Sequence, residues 1–368
     1  MDILIVKMSA LGDVIQALAV VDALKKGFPG CRLHWLVEEV AEPVVRSHPG
    51  VDRVLVSRRK QWPRHLRDPR LWPKVISEVR ALVAALRQRY DLALDLQGLM
   101  KSGIWMSLTR APRKVGIVPA RERLSSLVLN ELVEDPHRES HAVDRYLRLV
   151  EALGCPRTGP EPHFGIRPSQ EARRRADELL ISGGVPPEAP MVALVPGARW
   201  ESKRWTVKGF ASLGDMLAGS LGMQVLLVGS GEDSQINSMI CGAMTHKALD
   251  LSGRTDIQLL MAVLERAAVV VSTDSGPMHM AAALGTPVVA LFGPTAPWRT
   301  GPYGKGHKVV RKDLPCSPCF KRRCPQRKCM AAIGVREVLH EVEQVLRERT
   351  NGLRPMAPSW NDSLEALS

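Results

Sequence analysis

Short apolar runs alternate along most of this chain with stretches in which apolar residues recur every three or four positions. The runs at 3–6, 33–37, 51–56 and 92–96 read as strands, while 13–26, 38–47 and 75–89 carry apolar residues at helical spacing. Near-continuous apolar strands separated by helices mark βα units on a parallel sheet, which is buried on both faces. A further helix over 138–154 ends at Gly154-Cys155-Pro156, and the Pro- and Gly-rich run to Pro168 reads as a linker. The pattern then restarts, with strands at 191–195, 224–228, 268–271 and 287–291 and helices at 206–218, 234–246, 256–265 and 277–284. A last helix over 335–347 precedes a Pro- and polar-rich tail, 350–368, expected to be flexible. The prediction is two doubly wound α/β domains, 1–160 and 170–345. Ligands of such folds bind at the carboxyl ends of the strands, and two such halves would leave a central cleft where those ends face each other.

Composition narrows the function. With 368 residues, 45% hydrophobic and 24% charged, each half can bury a core. No apolar run reaches the roughly 18–20 residues needed to cross a bilayer; the stretch 17–24 is cut by Asp22 and followed by Lys25 and Lys26. The N-terminal segment lacks a basic region and a small-residue cleavage site, so a cytoplasmic location is expected. Seven cysteines, an odd number, argue against a disulfide framework, although Cys316, Cys319, Cys324 and Cys329 cluster. The net charge is +13, and residues 1–130 hold 22 Lys and Arg against 12 Asp and Glu, an excess of ten. That excess points to an anionic partner: nucleic acid, a phosphate-rich membrane face or a polyanionic substrate. Nucleic acid is disfavoured, because aromatic residues are only 4% and no RNA- or DNA-binding module pattern occurs. No G-x-S-x-G elbow is present, which disfavours a serine hydrolase.

Two junctions carry candidate chemistry. The first strand runs through Lys7-Met8-Ser9-Ala10-Leu11-Gly12-Asp13-Val14 into a helix. Asp13 stands where that helix should begin, either as its N-cap or as a carboxylate placed to act as a general base, and the two roles are compatible. Gly12 is the only glycine of this loop, which therefore does not match G-x-G-x-x-G. In the second half, Thr273-Asp274-Ser275-Gly276-Pro277-Met278-His279 joins a strand to a helix whose first N–H groups and dipole would suit a diphosphate, or simply form a capped helix. Lys203 lies just past the first strand of the same half and could neutralise a leaving phosphate.

Lys7 through Val14, Asp95-Leu96-Gln97-Gly98-Leu99, Pro196-Gly197-Ala198, Lys203-Arg204-Trp205, the Thr273 to His279 segment and Phe292-Gly293-Pro294-Thr295 together resemble the lipopolysaccharide heptosyltransferases of glycosyltransferase family nine. The ordered set spans about residues 1–345. Trp35-Leu36-Val37-Glu38-Glu39, the Asp95 motif and Ala120-Arg121-Glu122-Arg123-Leu124 look most like the type I enzymes, whereas Cys316-Ser317-Pro318-Cys319-Phe320-Lys321-Arg322 looks like type II sequences. The resemblance implies a GT-B fold of two Rossmann-like domains, the first binding the acceptor and the second the ADP-sugar. It implies inverting transfer of heptose from ADP-L-glycero-β-D-manno-heptose to the lipopolysaccharide inner core, with no metal required. The acceptor is the Kdo of lipid A for the type I step and the first heptose for the type II step.

By the family pattern Asp13 is the catalytic base. Lys203 and the N–H groups at Ser275 and Gly276 hold the phosphates, with Asp274 orienting or capping and His279 one turn along, either on the ligand or in the core. Glu232, or its neighbour Asp233, is placed for the ribose hydroxyls or merely begins a helix. Lys7, Ser9, Gln97 and Arg121 are acceptor-side candidates. The run 58–70 has six cationic residues, among them Arg59 and Lys60. It is either a solvated loop or a surface for acidic lipid A and the anionic cytoplasmic leaflet of the inner membrane, with Trp62 and Trp72 at headgroup level. The cysteines have the spacing C-x2-C-x4-C-x4-C, which offers a structural metal site or only a basic loop.

Overall fold

The apolar runs become the strands of two parallel sheets. The computed structural model describes residues 1–352 except Arg138, Thr158 and Pro160, so most of the tail expected at 350–368 lies outside the described residues. The chain divides into two units, Met1–Ile166 and a second beginning at Arg167.

In the first unit β1 (Asp2–Val6), β2 (Arg32–Glu38), β3 (Arg53–Ser57), β4 (Leu92–Asp95), β5 (Arg113–Val118) and β6 (Glu131–Glu134) form one sheet in the order β3-β2-β1-β4-β5-β6. β1 pairs in parallel with both β2 and β4, setting Ile5 beside Trp35 and Leu94. In the second unit β7 (Met191–Val195), β8 (Gln224–Leu227), β9 (Ala248–Asp250), β10 (Val269–Thr273), β11 (Val288–Phe292) and β12 (Lys308–Arg311) are ordered β12-β11-β10-β7-β8-β9. The strand order therefore reverses between β1 and β4 in one sheet and between β7 and β10 in the other. A crevice opens at the carboxyl ends of such a pair, because the flanking connections leave in opposite directions.

The central strands are apolar on both faces and were legible. β5 carries Arg113, Lys114 and Gly116, and β6, β9 and β12 are edge strands of three or four residues with polar or charged ends, so none showed a strand pattern. The single helix expected at 13–26 is two, Leu11–Ala17 and Val20–Gly27, although neither Pro nor Gly marks the break. The four-residue helices Trp62–His65, Pro297–Thr300 and Lys328–Ala331 were not expected, and neither were two longer ones. Met100–Leu108 is apolar nearly all round, and Gln170–Ser182 has few apolar positions, although the Ser169 hydroxyl accepts from the Ala172 N–H as a regular N-cap.

One face of the first sheet, through Leu4, Val6 and Met8, packs against Trp62, Val75, Leu82, Trp105 and Met106, with Val128 against the same cluster. The second unit packs Phe210, Leu213 and Leu217 of helix Val207–Leu221 and Val342 of helix Val335–Gly352 onto Val192, Val271 and Leu291. No helix among the described residues is long and apolar enough to cross a membrane.

Candidate active site

The crevice between β1 and β4 holds the first group of predicted residues. Asp13 lies in the first turn of Leu11–Ala17, not at its N-cap as expected; that position is Ala10, whose N–H donates to Asp13 Oδ2 at 3.2 Å. The half-exposed carboxylate keeps its second oxygen open, and a negative group in a first turn is favoured by the helix dipole. Lys7, expected as an acceptor ligand, is instead turned inward and only 3% exposed. Its ammonium donates to the Leu96 carbonyl at 2.9 Å and the Tyr146 hydroxyl at 2.6 Å. Burial works against that charge, but Tyr146, Asp13 and Asp95 outweigh it and hold the Lys7 pKa above its ordinary value. Lys7 is therefore a fixed cation beneath Asp13.

Gln97 is likewise buried. Its Oε1 accepts from the N–H groups of Met8 and Ser9, each at 3.0 Å, so it clamps the β1 loop to the β4 loop instead of facing a ligand. Asp95 turns that second loop by accepting from Gln97 and Gly98 N–H, with Ser102 Oγ on its other oxygen. Burial raises its pKa against those three donors. Gly98, at φ +61°, brings the loop against the backbone of Arg121, where a Cβ would stand 3.4 Å from the Arg121 nitrogen. Arg121 itself is exposed.

Beside this loop, sequence reasoning missed two residues that the structure joins to three predicted ones. Glu38, at the end of β2 and 3% exposed, receives Arg59 Nε at 3.0 Å, Lys60 Nζ at 2.7 Å and Lys101 Nζ at 3.1 Å. Lys101 also donates to the Ser9 hydroxyl. Burial would raise the Glu38 pKa, but Lys60 and Lys101 pull it below the usual carboxylate range. Burial lowers the Lys101 pKa, Glu38 opposes this, and Arg59 and Lys60 add to the fall. One carboxylate thus gathers three cations next to Ser9, four residues before Asp13. Glu38 lies within the Trp35 to Glu39 motif and Lys101 follows the Asp95 motif by two positions, and neither stands in a local pattern that singles it out.

The crevice between β7 and β10 holds the second group. Lys203 follows β7 through the turn Glu201–Lys203, and its ammonium meets Asp274 Oδ2 at 2.7 Å while lying 4.6 Å from the centre of the Trp200 ring. Thr295, from the Gly-Pro-Thr motif after β11, donates to the same Asp274 oxygen at 2.6 Å. Asp274 therefore orients Lys203 and does not cap the helix Gly276–Ala283, whose N-cap Ser275 makes no side-chain cap. Pro277 carries no N–H, which leaves Ser275, Gly276 and Met278 to present donors at this end. His279 is buried in the second turn. Asp233 is committed to its own turn, accepting from Ser230 N–H at 2.9 Å and its hydroxyl at 2.7 Å. Glu232 is exposed and lines a cavity of about 520 Å³ with Thr206, Gln235, Met239, Arg327 and Met330.

The cysteine segment packs on this unit. Ser202 Oγ donates to the Lys321 carbonyl at 2.6 Å and the Ser317 hydroxyl to the Gly293 carbonyl at 2.6 Å. Cys329 is buried and Cys316 exposed, and among the described residues no three His, Cys, Asp or Glu side chains converge to hold a metal ion. The four-thiolate site considered from the spacing is not assembled. Trp62 also departs from expectation: it is buried, with Nε1 on Glu78 at 2.9 Å, whereas Trp72 is exposed.

Two parallel Rossmann-like sheets, with a half-exposed carboxylate at the switch point of one and a lysine–aspartate pair at a helix start in the other, define a GT-B glycosyltransferase. The fold matches Escherichia coli heptosyltransferase with ADP, at 26% identity and TM-score 0.74, covering 94% of this chain and 100% of that one. It also matches E. coli ADP-heptose lps heptosyltransferase II, at 25% identity and TM-score 0.76, covering 95% and 100%. Lipopolysaccharide heptosyltransferase 1 of Pseudomonas aeruginosa is 31% identical over 88% of this chain and 87% of its own length. Residues 79–330 match glycosyltransferase family 9 (heptosyltransferase). The chain belongs to that family and is a heptosyltransferase of the lipopolysaccharide core class.

Proposed function

We propose that the chain transfers L-glycero-D-manno-heptose from ADP-L-glycero-β-D-manno-heptose to a Kdo sugar of the lipopolysaccharide inner core, with inversion. The first unit binds the acceptor and the second the nucleotide sugar. The observation that carries the acceptor is the cation group of Arg59, Lys60 and Lys101 beside Ser9, because one carboxylate cannot neutralise three cations and the excess suits an acidic sugar. The type I step is supported by the 31% identity to the P. aeruginosa enzyme of that name. The type II step is the second reading, supported by the Cys316 to Arg322 segment and by 28% identity to lipopolysaccharide heptosyltransferase 2 of Salmonella typhimurium.

In this reading Asp13 takes the proton of the attacking acceptor hydroxyl as its oxygen bonds to the anomeric carbon. The bond from that carbon to the diphosphate breaks on the opposite face, and ADP leaves with the electron pair. Lys203 exchanges its Asp274 partner for a phosphate oxygen, and the N–H groups at Ser275, Gly276 and Met278 take the rest of the developing charge. Glu232 accepts from the ribose hydroxyls. Lys7 and Gln97 act indirectly, by fixing the loop that carries Asp13. The chain works at the cytoplasmic face of the inner membrane.

The test is ADP release from ADP-heptose with Kdo-lipid A against its heptosylated product as acceptors. Turnover with Kdo-lipid A alone supports the type I step, and turnover only with the heptosylated acceptor replaces it by the type II step. Activity restricted to an unrelated nucleotide sugar would refute both.

A further inference from the structure

We propose that the outer face of the helical layer over the first sheet is a docking surface for an anionic lipid bilayer. The layer comprises the helices Trp72–Leu86 and Met100–Leu108 and the 3-10 turn Arg123–Val128. Their inner residues, among them Val75, Leu82, Trp105 and Val128, join one core cluster on the sheet, so their outer residues share one surface. Gly103 makes the last two elements neighbours, since a Cβ there would lie 3.4 Å from the Ser125 Cα.

That surface exposes Trp72 and Ile76, Met100 and Ile104, and Leu124 and Leu127, with Leu127 77% and Leu124 62% open to solvent. Single exposed apolar residues are ordinary; large ones gathered on adjoining elements mark an interaction face. The surrounding charge selects the partner. Lys74, Arg110 and Arg123 are exposed on or directly after these elements, and Arg64, Arg67 and Arg70 are exposed in the segment that leads into Trp72. Three carboxylates lie nearby, Glu78 accepting from Trp62 Nε1, Glu122 from the Met100 N–H and Asp68 from the Arg70 N–H, so the cations remain in excess. A second copy of the chain would bring the same cations and be repelled. An anionic headgroup layer over an apolar interior satisfies both the cations and the exposed side chains. Trp72, whose Nε1 donates to the Leu66 carbonyl while its ring stays open, is suited to the headgroup boundary. The inference rests on the lipopolysaccharide-acceptor reading for the identity of the surface.

Sedimentation of the full chain with vesicles of phosphatidylethanolamine and phosphatidylglycerol, against phosphatidylcholine alone, tests it. Preferential binding to the anionic vesicles is expected, weakening with salt. The triple variant Ile104→Ser, Leu124→Ser, Leu127→Ser should lower that binding at least about tenfold, given the transfer free energy of three apolar side chains. Transfer to a deacylated, water-soluble acceptor should be unchanged. The pair Arg67→Gln and Lys74→Gln removes charge alone and should also weaken binding, which keeps the test sound if the triple variant unfolds. No preference for anionic vesicles, undiminished binding by these variants, or a wild-type dimer that the triple variant separates would each overturn the proposal. Vesicle binding without heptosyl transfer would sink the acceptor reading and spare the surface; transfer without vesicle binding would do the reverse.

Discussion

Acid should destabilise the first unit through one buried imidazole. His48 is 2% exposed; its Nδ1 accepts from the Gly50 N–H at 3.0 Å, and its Nε2 has no partner among the described residues. Gly165, at φ +65°, lays its backbone against the ring, where a Cβ would stand 2.2 Å from Nε2. Protonation would set a donor against the Gly50 donor and leave a buried charge. Burial accordingly lowers the His48 pKa from 6.5 to about 4, with Asp22 opposing and His163 assisting. Because the folded value lies below the unfolded one, the folded state resists the proton: this contribution is complete above pH 6.5 and disappears as the pH falls towards 4. The shift corresponds to about 3 kcal/mol in full, of which about 2 kcal/mol is lost at pH 5. For a unit of the size of Met1–Ile166, 2 kcal/mol is a Tm decrease of about 4–8 °C. Calorimetry at pH 7.5 and pH 5 reads it, with His48→Asn as control, since Asn offers Gly50 an acceptor and does not titrate. The variant should lose about 2 kcal/mol less than the wild type between the two pH values. Equal losses, or an imidazole resonance titrating near 6.5, would refute the reasoning.

The remaining predictions concern the site. Asp13→Asn should reduce turnover by about 10²- to 10⁴-fold, the usual worth of a general base, with ADP affinity by calorimetry unchanged. Lys203→Met should weaken ADP binding and lower kcat together, because it removes the cation and leaves Asp274 facing the phosphates; an effect on the acceptor KM alone would contradict this. Glu38→Gln leaves three cations without their counter-ion. Breaking a buried pair costs about 3–5 kcal/mol, and since Arg59 and Lys60 can turn to water we expect about 2 kcal/mol, read as a lower Tm with ADP affinity intact.

The two-domain α/β plan and both switch-point loops were legible because central parallel strands are apolar on both faces and the loops carry short polar motifs at their ends. Edge strands such as Lys308–Arg311 gain their hydrogen bonds from one neighbour and have no apolar pattern to read. Site residues were legible as types and not as orientations. Lys7 and Gln97 stand in the right loops, yet strand pairing turns both inward, a fact about the β1–β4 register that no local pattern encodes. Glu38 and Lys101 escaped notice for the complementary reason: each is ordinary alone, and only the adjacency of β1, β2 and the β4 loop brings them onto Ser9. Of Glu232 and Asp233, alternatives in the sequence, Asp233 closes the Ser230 turn, a contact that depends on the fold of the loop after β8.

The basic excess of the first unit sorts into two uses with different physics. Arg59, Lys60 and Lys101 point at a buried carboxylate, and the residual positive charge is held at fixed positions beside Ser9, where it can select a ligand by geometry. Arg67, Arg70 and Lys74 are open to solvent, where salt screens them within about 8 Å at physiological ionic strength and they can act only on a nearby charged surface. A small soluble acid would engage the first set and leave the second without purpose. A polyanionic chain would engage both but not the leucines at 124 and 127. An acidic sugar on a lipid anchored in an anionic leaflet, the proposed acceptor, would use the fixed cations, the surface cations and the exposed apolar face together, so that one acceptor class would account for charge and hydrophobicity that composition alone could only count.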